Sequence, residues 1–501
     1  MANLFARKPL ARLMEEAQDV GEHSLKRSLG PVNLVALGIG GIIGAGLFVR
    51  TAAAIADRAG PSVVLAFVVA GIGCAFAGLC YAEFASMIPV AGSAYTYSYA
   101  TMGELVAWII GWDLILEYAV AAATVSDAWS EYANRVLGWF NMAIPYQWTH
   151  SPFEHDPGGV YGIMNVPALF ILLILTMLLI RGTKESAFVN GLIVILKVSI
   201  VILFIGIGWQ FINPANHTPF IPPAMTHTTA QGIVHHYGGL LGILGAAGVV
   251  FFAYIGFDAV STAAQESRNP KRDMPIGILG SLVFCTILYI LFSYVLSGVA
   301  TVDDFRAAGR EASVAFAISK YMHGYEWLSR AVTVAILAGF SSVILVMLLG
   351  QSRVFFSMSR DGLVPSIFSE VHPRYRTPWK SNMLFFVFTG AMAALVPADV
   401  TGEMTSIGTL FAFSLVCAGV WIMRVRSPEL ERGFRVPAAP LVAILGIITC
   451  GAMIYGLGWT NWMRLIVWLA VGLIFYFAYG KNHSHISAPP PEMPEGIRMT
   501  R

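Results

Sequence analysis

Long apolar runs, separated by short polar stretches, recur along almost the whole chain. Most runs hold about 20 residues, which is the length that an α-helix needs to cross the hydrocarbon core of a bilayer. The pattern therefore predicts an all-α polytopic membrane protein. Twelve transmembrane spans are expected, at about 31–56, 61–88, 104–135, 164–180, 188–211, 238–264, 276–299, 327–357, 382–397, 405–423, 438–458 and 462–480.

Two of these spans carry residues that are typical of interrupted helices. Span 1 contains Gly38-Ile-Gly-Gly-Ile-Ile-Gly-Ala-Gly-Leu-Phe48, with five glycines among eleven residues, and span 6 contains Gly256 close to Asp258. Glycine permits open backbone, whose free N–H and C=O groups must face a cavity or a ligand rather than lipid. The alternative is that the small residues of span 1 only allow two helices to pack closely.

The positions of the two interrupted spans predict how the bundle is arranged. If the first ten spans divide five and five, spans 1 and 6 open the two halves, and an odd number of spans per half inverts one half relative to the other. We therefore expect an inverted-repeat bundle with discontinuous helices 1 and 6. The expected parts are an N-terminal amphipathic segment at 1–30, a first repeat at 31–212, a second repeat at 238–425, helices 11 and 12 at 438–480, and a tail at 481–501.

Composition and charge agree with this picture. Apolar residues make up 56% of the chain and charged residues 12%, about half the charged fraction of an ordinary soluble domain. About 22 of the 31 Lys and Arg residues fall on the same side as the termini. The positive-inside rule therefore predicts a multi-pass protein of the cell membrane with both termini in the cytoplasm.

Lys197 lies in the middle of span 5, where a charge is costly and usually marks a functional site. It is about 13 residues past Lys184, roughly 20 Å along a helix, which is too far for its side chain to reach the membrane surface. A buried amine can bind and release a proton, and its charged form can hold unwound carbonyl groups of span 1. We therefore expect Lys197 to be a functional residue that can bind and release a proton.

Three further residues are candidates for the site, each with a structural alternative. Glu117 in span 3 can attract a cation or carry a proton, or it is a neutral carboxyl group held by a neighbouring helix. Asp258 joins a proton path or caps the second half of span 6. Phe340 in span 8 limits the room for a substrate side chain, or it is an ordinary packing aromatic residue.

No catalytic motif competes with a transport site. The sequence has no nucleophile elbow, Walker loop or H-E-x-x-H helix, and the glycines of span 1 do not fit G-x-G-x-x-G. Its five cysteines lie in apolar runs without C-x-x-C spacing, so neither a zinc site nor a disulfide framework is indicated. A net charge of +2 gives no reason to expect a nucleic-acid partner. We expect no enzymatic activity, no cofactor and no bound metal.

Several motifs, taken together, carry a family resemblance. They are Ser28-Leu-Gly-Pro31 with the glycines of span 1, Tyr81-Ala-Glu-Phe84, Gly92-Ser-Ala-Tyr95, Gly111-Trp-Asp-Leu-Ile-Leu-Glu-Tyr118, Phe251-Phe-Ala-Tyr-Ile-Gly-Phe-Asp258, Glu266-Ser-Arg-Asn-Pro270 and Ser359-Arg-Asp-Gly-Leu363. This set resembles the amino acid–polyamine–organocation superfamily, and within it the bacterial cationic amino acid transporter-like branch. The resemblance covers about residues 26–480.

The resemblance implies uptake of an L-amino acid coupled to protons rather than to sodium. The substrate carboxylate is expected at the backbone N–H groups of the span 1 break, because helix N-termini favour anions. The resemblance places these groups at Ile43, Gly44, Ala45 and Gly46. Ala45 is a departure, because relatives often have a hydroxyl residue there.

The resemblance also implies the partners of the substrate's α-amino group. They are carbonyl groups of both breaks, near Ile42 and at Phe252, Ala253 and Ile255. Phe252 would act as a gate over the substrate. Lys197 matches the lysine that stands where sodium-coupled relatives hold an ion.

The sequence thus predicts a proton-coupled L-amino acid permease that works by alternating access. Glu117 favours cationic substrates, whereas Phe340 favours small neutral ones. Two alternatives stay open: exchange of amino acids without net proton movement, and a membrane receptor that binds amino acids without carrying them. The substrate, protons and the lipid bilayer are the partners that the sequence indicates, and it gives no sign of a partner subunit.

Overall fold

A computed structural model describes most of the chain. The described residues are 4–9, 13, 29–44, 46–90, 92–156, 158–181, 184–228, 234–309, 313–375 and 377–486. Ala45, most of the predicted N-terminal amphipathic segment and the end of the tail lie outside them.

Long helices alternate with short connecting segments up to residue 208. The helices are α1 (Pro31–Ile42), α2 (Thr51–Ala54), α3 (Val63–Met87), α4 (Ser93–Thr101), α5 (Glu104–Ile115), α6 (Ala121–Gly138), α7 (Val166–Arg181) and α8 (Lys184–Gly208). Turns of π-helix lie at Gly46–Arg50, Ile55–Ala59 and Leu116–Val120. The last of these joins α5 and α6 into one continuous rod.

The same alternation continues after residue 208. The helices are α9 (Gly239–Val250), α10 (Ala259–Thr262), α11 (Pro270–Val299), α12 (Val302–Ala308), α13 (Val314–Tyr321), α14 (Glu326–Arg360), α15 (Trp379–Leu395), α16 (Ala398–Arg426), α17 (Ala439–Leu457), α18 (Trp459–Phe475) and α19 (Lys481–His483). In the polar loop before α9, strands β1 (Met225–Thr228) and β2 (Val234–Tyr237) pair antiparallel.

The helices confirm an all-α polytopic membrane protein. Within the described ranges, nine helical stretches are long and apolar enough to cross a membrane, and α1 and α7 are shorter apolar helices. One of the nine, Gly46–Met87, runs from the second half of span 1 through span 2. Side chains on these helices bury their apolar surface against one another, and the short helices and the hairpin lie in the connections.

The long helices α11 and α14 position the centre of the bundle. Helix α11 packs along α1 and α3, and α14 packs against α6, α8 and α1. Some glycines of α1 serve this packing: a β-carbon added at Gly38 would lie 2.3 Å from Ser281 Oγ on α11. Close packing therefore explains Gly38 and also Gly40, where a β-carbon would lie 2.7 Å from Asn190 Nδ2 on α8. Gly44 and Gly46 lie at the break described below.

The described part of the N-terminal segment lies against the helix ends. Residues 4–9 form a turn and extended backbone, and Glu104 N–H donates to Ala6 O at 2.9 Å. Lys8 Nζ pairs with Asp361 Oδ1 at 2.7 Å, and Lys8 and Asp361 are both buried. Tyr95 Oη donates to the other oxygen of Asp361 at 2.8 Å. These bonds fix the N-terminal segment to α4, α5 and the end of α14.

Candidate functional site

The first site element is a break in the helix of span 1. Helix α1 ends at Ile42, and Ile43 is extended, with φ −74° and ψ 106°. Helical backbone resumes at Gly46, after bonds from Leu47 N–H and Phe48 N–H to Gly44 O at 3.2 and 3.4 Å. The glycines predict a break here, and the structure has one. It exposes carbonyl groups at the end of α1 and N–H groups at the start of the next helical turn.

A second break interrupts span 6. Helix α9 gives way to a 3₁₀ turn at Phe251–Tyr254, Ile255 is extended with ψ 131°, and α10 begins only at Ala259. Gly256 has φ +119°, a backbone conformation that residues other than glycine rarely adopt. A β-carbon on Gly256 would also lie 2.7 Å from the carbonyl carbon of Gly41. Glycine is therefore required twice over, by its backbone angle and by the closeness of α1.

The two breaks face each other across a short distance. A β-carbon added at Gly46 would lie 2.2 Å from Ala253 Cα, so the two backbones are in contact. The hydroxyl of Tyr289 on α11 lies 2.9 Å from both Ile42 O and Ala253 O, and it shares its single hydrogen between them. Tyr289 thus ties the carbonyl end of one break to the other. The sequence analysis did not identify it, although a hydroxyl group in an apolar span was the available signal.

A small cavity lies between the breaks. Its walls are almost wholly aliphatic or backbone, and its lining residues are Gly41, Ile42, Gly44, Gly46, Ala121, Val125, Phe252, Ile255, Val343 and Met347. Its free volume of about 10 Å³ is close to the minimum for one water molecule. A larger ligand can enter only if the walls move.

Lys197 holds the carbonyl groups of the first break. Its Nζ donates to Gly40 O at 2.6 Å, to Ile43 O at 2.8 Å and to Ser342 Oγ at 3.0 Å. The Lys197 side chain is fully buried, so these three acceptors replace the water that an amine would otherwise bind. The structure therefore places a proton-binding group directly on the unwound backbone of span 1.

Asp258 lies at the end of the second break, directly before α10. Tyr118 Oη donates to its Oδ2 at 2.5 Å, and Gly256 N–H donates to its Oδ1 at 3.3 Å. The Asp258 side chain therefore accepts from the backbone two residues before it and does not cap α10. Glu117 is also fully buried, its carboxyl group lies near that of Asp258, and neither of its oxygens has a hydrogen-bond partner among the described residues.

Two predicted residues lie outside the cavity walls. Neither Glu117 nor Phe340 is among the described residues that line the cavity. The carboxyl group of Glu117 is buried near Asp258, and the ring of Phe340 packs edge-on against Tyr132, with centroids 5.5 Å apart. The cavity is lined instead by side chains of α6 and α14 that the sequence analysis did not name, together with predicted residues of the two breaks. These side chains are Ala121, Val125, Val343 and Met347.

Phe252 lines the cavity, and its side chain is buried. The guanidinium carbon of Arg50 lies 5.7 Å from the centre of the Phe252 ring, within the range of a cation–π contact. Arg50 also bonds to the first turn of α16, at Asp399 and Ala398. Arg50 was not predicted as a site residue.

The opposite end of the bundle carries buried ion pairs. Glu83 accepts hydrogen bonds from Arg424 at 2.6 and 2.8 Å and from Arg432 at 3.0 Å. Arg353 on α14 pairs with Glu266 just after the second break. Because Arg424 lies in the last turn of α16 and Asp399 in its first turn, the Glu83 pairs and Arg50 lie at opposite ends of this helix. The ion pairs join α3 to α16 and to the loop after it, and α14 to the segment after the second break.

The sequence of this chain is similar to those of transport proteins. The family model described as "Amino acid permease" matches residues 29–479. The chain is 42% identical to the branched-chain amino acid permease BcaP of Bacillus subtilis (strain 168) and 39% identical to the methylthioribose transporter of the same organism, each over 97% of this chain and 99% of the relative. It is 38% identical to the chloroplastic cationic amino acid transporter 9 of Arabidopsis thaliana, over 81% of this chain and 68% of the relative.

Proposed function

Because the chain belongs to the amino acid permease family, within the amino acid–polyamine–organocation superfamily, we propose that it is a proton-coupled L-amino acid permease that imports its substrate by alternating access. It is a transport protein and not an enzyme. The observation that carries the proposal is the pair of facing helix breaks with a buried lysine on one of them. Unwound backbone in mid-membrane is the usual way in which transporters build a substrate site.

The backbone of the two breaks is proposed to bind the groups that all amino acids share. The carboxylate meets the N–H groups from Gly44 to Gly46, at the start of the second half of span 1, because that end of a helix favours anions. The N–H of Ile43, which the resemblance also suggested, donates instead to Ile39 O at 3.1 Å. The ammonium group meets the carbonyl groups of Phe252, Ala253 and Ile255, where the 3₁₀ turn ends. A carbonyl oxygen has two lone pairs, so Ala253 can accept from Tyr289 and from the substrate together.

The cavity wall supports a neutral aliphatic substrate side chain. Ala121, Val125, Val343 and Met347 offer no charge and no hydrogen-bond donor of their own to a substrate side chain. A cationic side chain would leave its charge unpaired there, which is costly. The name of the branched-chain permease BcaP supports the same class. Cationic substrates, which Glu117 suggested, and small ones, which Phe340 suggested, are the alternatives, and both residues lie outside the walls.

A second candidate substrate is methylthioribose. It is favoured by 39% identity to the methylthioribose transporter over nearly the full length of both chains. A methylthio group is apolar and suits the wall of Val343 and Met347. This ligand has neither a carboxylate nor an ammonium group, so it would not use the backbone groups of the breaks as an amino acid does.

Proton coupling is proposed to run through Lys197. When its amine is charged, it holds Gly40 O and Ile43 O and stabilises the break; when it loses the proton, that hold weakens. The protonation state is therefore linked to the shape of the substrate site. Asp258, with Glu117 beside it, is the second group proposed to carry protons, because Tyr118 and Gly256 fix it at the other break.

The architecture that we propose has twelve transmembrane helices, as two inverted repeats of five followed by two helices. In this arrangement both termini lie in the cytoplasm and the protein lies in the cell membrane. The excess of Lys and Arg on the side of the termini supports the orientation. The end of the cavity beside Phe252 and Arg50 then faces the outside. The ion pairs of Glu83 and Glu266 are proposed to close the cytoplasmic end. Reporter fusions at each predicted loop test the orientation, and an active cytoplasmic reporter in the Met225–Tyr237 loop would contradict it.

Transport by purified protein in liposomes tests the function. Labelled leucine, alanine, arginine and methylthioribose are each presented with the outside acidic and with no pH gradient. The proposal expects leucine to accumulate only with the gradient. Uptake that needs internal amino acid but no gradient would indicate an exchanger, and binding without uptake would indicate a receptor.

A further inference from the structure

The hairpin of β1 and β2 lies against the end of span 1 that is farthest from the break. Gly238 N–H, directly after β2, donates to Arg58 O at 2.8 Å. A β-carbon added at Gly60 would lie 2.7 Å from Tyr237 Oη, so β2 and the end of span 1 are closely packed. Helix α9, which forms the first half of span 6, begins at Gly239. The hairpin therefore joins the ends of both broken spans.

The hairpin carries histidines on both of its faces, and one face meets span 1. The strand register pairs His227 with His235 and Thr226 with His236. Side chains alternate between the faces of a strand, so His227 and His235 share one face and His236 lies on the other. His227 Nε2 lies 3.4 Å from Asp57 Oδ1, and the side chains of His227 and Asp57 are 24% and 34% exposed. The pair is thus partly shielded, but protons of the surrounding water can reach it.

We propose that His227 and Asp57 form an external proton-sensing clasp, which ties the hairpin to span 1 when the outside is acidic. This inference rests on the proposed function and its orientation, in which the hairpin faces the outside. Histidine is the side chain that ordinarily changes its charge between about pH 5 and pH 8. A proton from the outside water turns the imidazole into a cation, which attracts the carboxylate more strongly than a neutral ring does. The clasp therefore engages at acidic pH and releases its proton and its hold as the pH rises.

The other titratable groups around the pair leave the sensing role to His227. Those that act on Asp57 through their charge, besides His227, are Arg58, Arg306 and Asp399. Arginine and exposed aspartate side chains stay charged between about pH 5 and pH 8. The phenol of Tyr237, whose ring centre lies 6.3 Å from that of His227, stays neutral there. Burial, and after it the charge of Arg58, lowers the pKa of His235 to about 4, so His235 is neutral throughout that range.

The clasp acts on the substrate site through the two half-helices that it ties together. Asp57 lies 11 residues after Gly46, about 16 Å along the helix from the first break. Helix α9 leads from the hairpin to the second break. The proposed site takes the carboxylate at one half-helix and the ammonium group at the other, so a fixed spacing between the two favours binding. An acidic outside thus strengthens leucine binding by about two- to fivefold, the range that a partly exposed ion pair supplies.

Hydrogen exchange of the purified full-length protein tests the clasp without any substrate. The amides of β1 and β2 are compared between the native protein and His227→Gln at the same pH, so the intrinsic pH dependence of exchange cancels. At about pH 5.5 the native strands should exchange about two- to fivefold more slowly than those of the variant, and at about pH 7.5 the rates should nearly agree. Asp57→Asn should behave like His227→Gln, and combining the two should add little, because both remove one interaction.

His236→Gln is the matched control. It makes the same chemical change on the exposed face of the same hairpin, so exchange should match that of the native protein at both pH values. Uptake of labelled leucine into liposomes at a fixed inside pH then measures the effect on the site. Acidifying the outside from about pH 7.5 to about pH 5.5 should lower KM about two- to fivefold less in His227→Gln than in the native protein, with kcat kept. His236→Gln should respond as the native protein does.

Equal exchange in the native protein and His227→Gln at about pH 5.5 would overturn the clasp, and so would an effect of His236→Gln as large as that of His227→Gln. A KM of His227→Gln that responds to outside pH as the native KM does would overturn the link to the substrate site. Failure of the native protein to take up leucine at any pH would refute the proposed function instead. The exchange rates would still decide whether His227 and Asp57 form the clasp.

Discussion

Replacing Lys197 by Met should uncouple transport from the proton gradient. Met conserves most of the side-chain volume and removes all three hydrogen bonds that Lys197 Nζ donates. After the change, Gly40 O keeps a neighbour in Ser342 Oγ at 3.2 Å, but Ile43 O loses Lys197. An unsatisfied buried carbonyl group costs about 1–3 kcal/mol. We therefore expect a lower melting temperature as well as a change in transport.

The expected size of the transport effect follows from the proposal that Lys197 carries the coupled proton. If one proton accompanies one substrate molecule, a gradient of about one pH unit can drive about tenfold accumulation, because each unit is worth about 1.4 kcal/mol. The native protein should approach that value in liposomes with an acidic outside and the membrane potential clamped. The Lys197→Met protein should only equilibrate its substrate, to about a onefold ratio. Leucine is a suitable labelled substrate for both.

Ser342→Ala is the matched control. It removes one partner of Lys197 and leaves the amine and its bonds to the two backbone carbonyl groups. We expect this variant to accumulate leucine against the gradient nearly as well as the native protein. If Lys197→Met still accumulates leucine about tenfold at the same gradient, Lys197 does not carry the coupled proton and the reasoning from its contacts is wrong.

Three further predictions address the joint between the breaks, the cavity wall and the closed end. Tyr289→Phe keeps the ring but leaves two carbonyl groups without their shared donor, so leucine affinity measured by calorimetry should fall about tenfold or more; an unchanged affinity would contradict the bridging role. Met347→Ala shortens a side chain of the cavity wall and so enlarges the cavity. Larger apolar amino acids should then compete better with labelled leucine, while competition by arginine stays weak. Glu83→Gln leaves Arg424 and Arg432 without their buried carboxylate and should cost about 3–5 kcal/mol of stability; a melting curve equal to the native one would refute that estimate.

The local pattern of the sequence determined the class of fold and the places where helices break. Apolar runs about 20 residues long can only be satisfied as helices in a membrane. The glycines of span 1 and Gly256 predict interruptions, and both breaks are present. Lys197 could be identified for a similar reason, since a charge in mid-span is costly wherever the neighbouring helices lie. Such inferences need only the composition of one segment.

Only the tertiary structure decided which side chains surround the cavity. Glu117 precedes Ala121 by about one helical turn, and a π-helical turn at Leu116–Val120 changes the direction in which the following side chains point. Ala121 lines the cavity, whereas Glu117 is buried near Asp258. The contact between Arg50 and Asp399 joins residues 349 positions apart. The hydrophobic periodicity of a single segment cannot predict such a contact. Hydrophobic pattern fixes which residues leave water, whereas packing between distant helices fixes what each residue then touches.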